Sequence, residues 1–210
     1  MSDNSIDPAL ADIERITLGH YEENAQSFWH GTKDHDVSQN YQKLLSEFPA
    51  DQTLDILDFG CGPGRDLCYF SSQGHRPVGL DGSRAFCEMA RTNSGCPVLH
   101  QSFLSLELPS AAFDGVFANA SLFHVPSAQL PRVLRELHDT LRSGGILFTS
   151  NPRGSAEGWS GQRYGHFMEF DVSKNYLQDA GFDIVDHYYR PPGAPRAEQP
   201  WLAIVSRKAG

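Results

Sequence analysis

Three glycines and one aspartate carry the first recognisable chemistry. Gly60, Gly62 and Gly64 stand in the run Gly60-Cys61-Gly62-Pro63-Gly64, directly after the apolar stretch Leu54 to Phe59. Lacking Cβ atoms, they let the backbone turn sharply and approach a ligand closely. The next apolar stretch, Pro77 to Leu80, ends in Asp81, whose carboxylate is placed to accept hydrogen bonds from two ribose hydroxyls. Strand, glycine loop, helix, strand and terminal acid, in that order, point to a cofactor that carries a nucleoside. The dinucleotide fingerprint needs its third glycine one position later, where this chain has Arg65 and then the carboxylate Asp66, so a pyrophosphate is poorly served. The phosphate-cradling Gly-x-x-x-x-Gly-Lys-Ser/Thr loop is also missing, which leaves a ribose-bearing cofactor without phosphate.

A second set of residues suits an acceptor beside that cofactor. His124 follows the apolar run Phe113 to Ala118; because imidazole titrates near neutrality it is the preferred general base, with Tyr21 and His30 in reserve. A turn histidine that only satisfies backbone groups fits the same position. The stretch Asn151 to Phe170 is rich in glycine and reads as a long loop, the candidate lid. Within it, Arg153 and Arg163 are placed to hold a substrate carboxylate in bidentate fashion, and Trp159 and Tyr164 to stack on a flat or cationic group. Tyr21 to His35 adds Phe28, Trp29 and His30 to the candidate acceptor pocket. Each also has a structural reading, as a solvated charge or as packing. Cys61 reads as a small buried thiol of the loop rather than a nucleophile, because no histidine is fixed near it in sequence.

These residues need a scaffold, and the hydrophobic pattern supplies one. Leu10, Ile13 and Ile16 recur at helical spacing, and Val37, Tyr41, Leu44, Leu45 and Phe48 form a second stripe that ends at Pro49. From Thr53 onward short apolar runs alternate with amphipathic segments, the pattern of parallel strands joined by crossover helices. Arg65 to Gln73 reads as a helix closed by Gly74, and Ser83 as the cap of a helix reaching about Thr92. A short strand is expected around Val98, then one over Phe113 to Ala118. A helix follows, begun by Ser127, with Leu130, Val133, Leu134, Leu137 and Leu141 on its apolar face, terminated by Gly144-Gly145; its partner strand is Ile146 to Thr149. Phe182 to Tyr188 and Trp201 to Val205 flank the turn Pro191 to Pro195, a short connection that suits an antiparallel pair near one sheet edge. The expected fold class is therefore α/β, a doubly wound and mostly parallel sheet, in one domain over 1–210 with an N-terminal helical cap over 1–50 and a core over 53–210.

Composition narrows the partners. The 210 residues carry 17 Lys and Arg against 26 Asp and Glu, a formal charge of -9, so nucleic acid is not an expected partner. No apolar stretch approaches the roughly 20 residues that span a bilayer, so no membrane partner is expected. Cys61, Cys68, Cys87 and Cys96 form neither a CxxC pair nor a zinc-ligand spacing, so no metal is expected. Reduced thiols and a polar opening segment lead to the expectation of a cytoplasmic protein, monomeric or homodimeric.

Ile56-Leu57-Asp58-Phe59-Gly60-Cys61-Gly62-Pro63-Gly64-Arg65-Asp66 resembles the first motif of class I S-adenosylmethionine-dependent methyltransferases of the small-molecule type. Gly79-Leu80-Asp81-Gly82-Ser83 resembles the second motif, and Phe113 to His124 the fourth. Arg142 to Leu147 is similar to the turn entering the fifth strand. The resemblance implies a seven-stranded Rossmann-like sheet and S-adenosyl-L-methionine as cofactor, used to methylate a nitrogen, oxygen or sulfur of a small-molecule acceptor by in-line displacement. It implies that Gly60 and Gly62 face the methionine part, with Cys61 and Gly64 in the same loop, that Asp58 supports the ammonium group, that Asp81, with Gly82 and Ser83, holds the ribose, and that Asn119 and Ala120 border the sulfonium. Ser102 stands where the family commonly has an acid toward adenine; its hydroxyl, neighbouring backbone groups and the apolar ring of Phe103 are the candidates for that contact. Two alternatives stay beside this reading. One is an NAD(P)-dependent oxidoreductase, which Arg65 argues against; the other is a non-catalytic cofactor-binding module, which the polar and aromatic loop argues against.

Overall fold

The computed structural model describes residues 8–209. Before the first strand the chain forms three helices, α1 (Pro8–Glu23), α2 (Ala25–Thr32) and α3 (Ser38–Leu45). Then come β1 (Asp55–Phe59), α4 (Arg65–Ser72), β2 (Arg76–Asp81), α5 (Arg84–Ser94), β3 (Val98–His100), β4 (Phe113–Asn119), α6 (Leu130–Thr140) and β5 (Leu141–Pro152). The last third holds β6 (Glu157–Ser160), β7 (Arg163–His166), α7 (Phe170–Asp179), β8 (Phe182–Arg190) and β9 (Trp201–Lys208). Seven strands form one sheet in the order β3-β2-β1-β4-β5-β9-β8. The first five are parallel, and β9 runs antiparallel to both β5 and β8, as the short proline-rich connection predicts. The order reverses at β1, so the crevice beyond the carboxyl ends of β1 and β4 is where an open α/β sheet binds its ligand.

Consecutive residues of the central strands are buried on opposite faces. Val116 and Leu147 join the cluster under α6 and α7, with Leu134 and Leu137, whereas their neighbours Phe117 and Phe148 join Leu44 of α3, Ile56 and Phe70 on the other side. A sheet covered on both faces is what near-continuous apolar runs encode. Burying each such Leu or Phe contributes about 1.5–3 kcal/mol, so the strands that carry the site are held rigidly.

The pattern misplaces three boundaries. α6 begins at Leu130 rather than Ser127 and stops at Thr140, because Leu141 already pairs with Phe113 as the first residue of β5. Gly144 and Gly145 therefore form an irregularity inside β5, not a helix stop; a Cβ on Gly145 would lie 2.9 Å from the carbonyl oxygens of Arg142 and Asp114. Arg142 holds this corner through ion pairs of 2.8 Å to both Asp55 and Asp114. The stretch read as a glycine-rich lid over Asn151 to Phe170 is in large part ordered: β5 continues to Pro152, and β6 and β7 form an antiparallel hairpin that pairs Trp159 with Tyr164. The helix expected over Val37 to Phe48 ends at Leu45. Among the described residues no helix is long and apolar enough to cross a membrane.

Candidate active site

The glycine loop leaves β1 under steric constraint. A Cβ on Gly60 (φ +77°) would lie 2.4 Å from Cβ of Ser121, and one on Gly64 (φ +94°) would lie 2.8 Å from Cα of Ala90. Gly64 thus lets α4 and α5 approach, while Gly62 meets nothing closer than the Phe28 ring at 3.8 Å and stays open toward a cavity. Asp81 faces the loop from the end of β2. Its two carboxylate oxygens accept the backbone N–H groups of Gly62 and Ser83, each at 2.9 Å. Burial pushes this carboxyl up to about 6, against the pull of those N–H donors. The Ser83 hydroxyl accepts the Phe86 N–H as cap of α5 and donates to Glu22 at 2.6 Å, which docks α1 over the site.

Between the loop, the N-terminal helices and the segment following β8 lies a cavity of about 850 Å3. Gly60, Cys61, Gly62, Asp81, Gly82, Ser102, Phe103, Asn119 and Ala120 all reach its wall. Asp58 does not; it lies behind the loop, 1% exposed, with Oδ2 unpartnered and its carboxyl raised by burial and by the nearby Asp66. Gly64 and Ser83 likewise shape the wall from behind. The Ser102 hydroxyl accepts the Leu104 N–H at 2.9 Å as a turn cap, and Phe103 stacks on Phe59 with ring centroids 4.2 Å apart. Beyond the loop, Asp66 accepts Tyr41 at 2.5 Å, Arg65 at 2.6 Å and Asn119 at 3.3 Å, and Asn119 in turn accepts from Asn40. This network fixes Asn119 at the end of β4.

His124 and Tyr21 meet as the spacing alone does not show. The imidazole contacts the Tyr164 carbonyl oxygen through Nδ1 at 2.6 Å and the Tyr21 hydroxyl through Nε2 at 2.7 Å. A carbonyl only accepts, so Nδ1 carries the proton, Nε2 is the acceptor, and Tyr21 donates to it. Burial pushes His124 down to about 4 and raises the Tyr21 phenol. This corrects the sequence expectation of a histidine poised near neutrality: His124 stays neutral, a weak base with both nitrogens engaged. Arg163, at the turn of the β6–β7 hairpin, lines the same wall beside Tyr21.

The remaining expected residues divide. Trp29 lines the cavity; His30 is exposed and bonds the Gln26 carbonyl. Trp159 is 47% exposed and packs edge-on against Tyr164, whose hydroxyl donates to Glu157; neither aromatic lines the cavity. Arg153 lies outside it too. Its guanidinium donates to the carbonyls of Arg196 and Gln199 and pairs with Glu169 at 3.2 Å, so it anchors the segment after β8. The end of β8 brings Arg190, the segment after it Pro191 and Pro192, and the start of β9 Trp201 to the cavity, residues whose sequence context carried no ligand signal. Phe28, Phe86 and Leu18 complete the aromatic and apolar wall; the helical spacing of Leu18 and Tyr21 was the available clue.

Comparison with known proteins agrees with this geometry. Residues 57–149 match the family described as a methyltransferase domain. A trans-aconitate 2-methyltransferase of Azoarcus sp. (strain BH72) is 33% identical over 114 residues, 52% of this chain and 44% of the relative. A malonyl-[acyl-carrier protein] O-methyltransferase of Legionella pneumophila is 34% identical over 150 residues, 65% of this chain and 50% of the relative. The chain spans about half the length of these curated relatives. In fold it is similar to the Burkholderia thailandensis 1,6-didemethyltoxoflavin-N1-methyltransferase solved with bound 1,6-didemethyltoxoflavin and S-adenosylhomocysteine, with TM-score 0.77 and 22% identity over 100% of this chain and 94% of that one. The glycine loop and the acid ending β2 both lie within the stretch that matches the methyltransferase domain, in a chain whose fold is similar to that of S-adenosylmethionine-dependent methyltransferases.

Proposed function

We propose that this chain transfers the methyl group of S-adenosyl-L-methionine to a small-molecule acceptor by in-line displacement, as a cytoplasmic enzyme whose first 50 or so residues cap a methyltransferase core. The observation that carries the reading is Asp81, buried yet lining the cavity, its carboxylate oriented by the Gly62 and Ser83 N–H groups. The wall fits the cofactor: Gly62 leaves open space that a side chain would fill, and the buried Ser121 hydroxyl beside Gly60 has no partner within the protein. A pyrophosphate fits less well, because the first turn of α4 presents the Asp66 carboxylate. The four cysteines are free thiols, which suits a reducing compartment.

Bound S-adenosylmethionine supplies an electrophilic sulfonium methyl. Asp81 would accept the ribose hydroxyls; Ser102, Phe103 and Gly82 would border the base; Gly60, Cys61, Gly62 and Asn119 would border the methionine part. Trp29, Phe28 and Tyr21 roof the site and exclude water, and Arg163 faces the acceptor. The chain's contribution is orientation and desolvation. Titration calorimetry with S-adenosylmethionine, S-adenosylhomocysteine and NAD tests the reading: micromolar binding of the two sulfur nucleosides and none of NAD is expected, and binding of NAD alone, or of neither class, overturns it.

A further inference from the structure

The acceptor wall holds a cation without a counter-charge, and the imidazole beside that cation has both nitrogens engaged. Three arginines line the cavity. Arg65 is committed to Asp66 through contacts of 2.6 and 3.0 Å, and Arg190 gives Nη2 to the Asp36 carbonyl beside the Asp36 side chain. Arg163 makes no ion pair with a carboxylate among the described residues and lies against the Tyr21 phenol. The one imidazole beside it, His124, has Nδ1 on the Tyr164 carbonyl and Nε2 on the Tyr21 hydroxyl. No lone pair of that ring is left for a substrate proton, and the Tyr21 proton is already directed at His124. Of the wall carboxylates, Asp36 accepts the Ser38 N–H at the cavity's α3 edge. Asp66 is satisfied by Tyr41, Arg65 and Asn119, and Asp81 belongs to the loop. Glu14 on α1 lies seven residues before Tyr21, about 10 Å along the helix.

We propose that the methyl acceptor is a carboxylate seated on Arg163, and that the enzyme forms a methyl ester without a general base. This rests on the methyltransferase reading and adds the acceptor atom to it. A carboxylate oxygen is already anionic at neutral pH, so nothing need deprotonate it. Its lone pair forms the new O–CH3 bond while the S–CH3 bond breaks and the electron pair stays on sulfur. The charges of sulfonium and carboxylate cancel and no proton is released. Methylation of a hydroxyl or an ammonium would release one proton per turnover, whereas transfer to a carboxylate releases none. The planar guanidinium matches a carboxylate in bidentate geometry and disfavours a cationic amine at the same place. Tyr21 and His124 act as positioning residues that hold one edge of Arg163.

The test uses the full chain, S-adenosylmethionine labelled in the methyl group, and a panel of aliphatic and aromatic mono-, di- and tricarboxylates, each beside its amide, with amines, phenols and thiols as controls. Label transfer to carboxylates but not amides is expected. The label should be volatile as methanol after mild alkali, with no proton released in a weakly buffered indicator assay and a rate that is flat between about pH 6 and 8. Arg163→Ala is expected to raise the acceptor KM tenfold or more with cofactor affinity within twofold of wild type, and Arg163→Lys to recover part of the loss. Base-stable label on an amine, hydroxyl or thiol with one proton released overturns the inference while the methyltransferase reading stands. Cofactor binding without turnover of any carboxylate overturns it too. Failure to bind either sulfur nucleoside removes the reading beneath it.

Discussion

Replacing Asp81 by asparagine separates cofactor binding from folding, because the two respond to its charge in opposite directions. The carboxylate is 8% exposed, and burial lifts it from 3.8 to about 6 despite the N–H donors of Ser83, Gly62 and Gly82. A rise of that size corresponds to ~3 kcal/mol of preference for the protonated form in the folded state. Since the folded carboxyl holds its proton more tightly than the unfolded one, this stability is fully present below about pH 4 and is lost as the pH rises through about 6. Ribose hydroxyls donate, so they select the ionised form. Cofactor affinity should therefore be level above about pH 7 and fall about tenfold by pH 5. In Asp81→Asn the pH dependence disappears. Loss of the charge-assisted bonds, ~1.5–3 kcal/mol, weakens binding about ten- to a hundred-fold at pH 7.5. The amide also turns its NH2 toward one of the two N–H donors, costing ~1–3 kcal/mol, which offsets much of the ~3 kcal/mol gained by removing a buried charge. The free variant should accordingly melt close to wild type at pH 7.5. Calorimetric titration between pH 5 and 7.5, beside thermal denaturation, reads both quantities. Wild-type affinity independent of pH over that range, or a variant that binds as tightly as wild type, would refute an ionised ribose ligand at this position.

Gly60→Ala places a Cβ 2.4 Å from that of Ser121 at a φ of +77°. The left-handed cost of ~1–2 kcal/mol and overpacking of ~1–3 kcal/mol should lower urea stability by about 2–5 kcal/mol, with part regained on adding Ser121→Gly; no recovery in the double variant would show that the clash is not the cause. Arg153→Ala removes donors from the Arg196 and Gln199 carbonyls. Hydrogen exchange should then rise over 191–200 while cofactor affinity stays unchanged; lost affinity would instead place Arg153 in the site. Tyr41→Phe takes away a donor to the buried Asp66 carboxylate and should cost ~1–3 kcal/mol of stability in thermal denaturation, and an unchanged melting temperature argues against the network around Asn119.

The scaffold was readable because its signals are local. Doubly buried strands such as Phe113–Asn119 need apolar residues at consecutive positions, and the loop needs glycine at three specific positions, so composition and spacing reveal both. Where a residue satisfies two patterns, the reading fails. Leu141 continues the helical stripe four residues after Leu137, yet it pairs with Phe113 and opens β5. In the hairpin over 157–166, Gly158, Gly161 and Gly165 suggest a loop, and the pairing of Trp159 with Tyr164 emerges only across the turn. Arg153 shows the same limit for charge, since its partners lie 43 and 46 residues away on a segment that pattern alone does not bring close.

The acceptor side of the site was legible in residue type and not in state. His124 was identifiable from its place after β4, and its ordinary pKa made it a base. The partners that change this come from elsewhere: Tyr21 from α1, 103 residues away, and the Tyr164 carbonyl from β7, 40 residues away. Both ring nitrogens are engaged and burial lowers the imidazole to about 4, so the ring is neutral near pH 7. The same hairpin that supplies the Tyr164 carbonyl also carries Arg163 to the wall, so the engaged imidazole and the unpaired cation have one structural origin. On the proposed reading the acceptor is a nucleophile that arrives deprotonated, and the demand on the pocket is then set by how the hairpin closes on α1, through the Tyr164 N–H on Thr17 and the Tyr21 hydroxyl on His124.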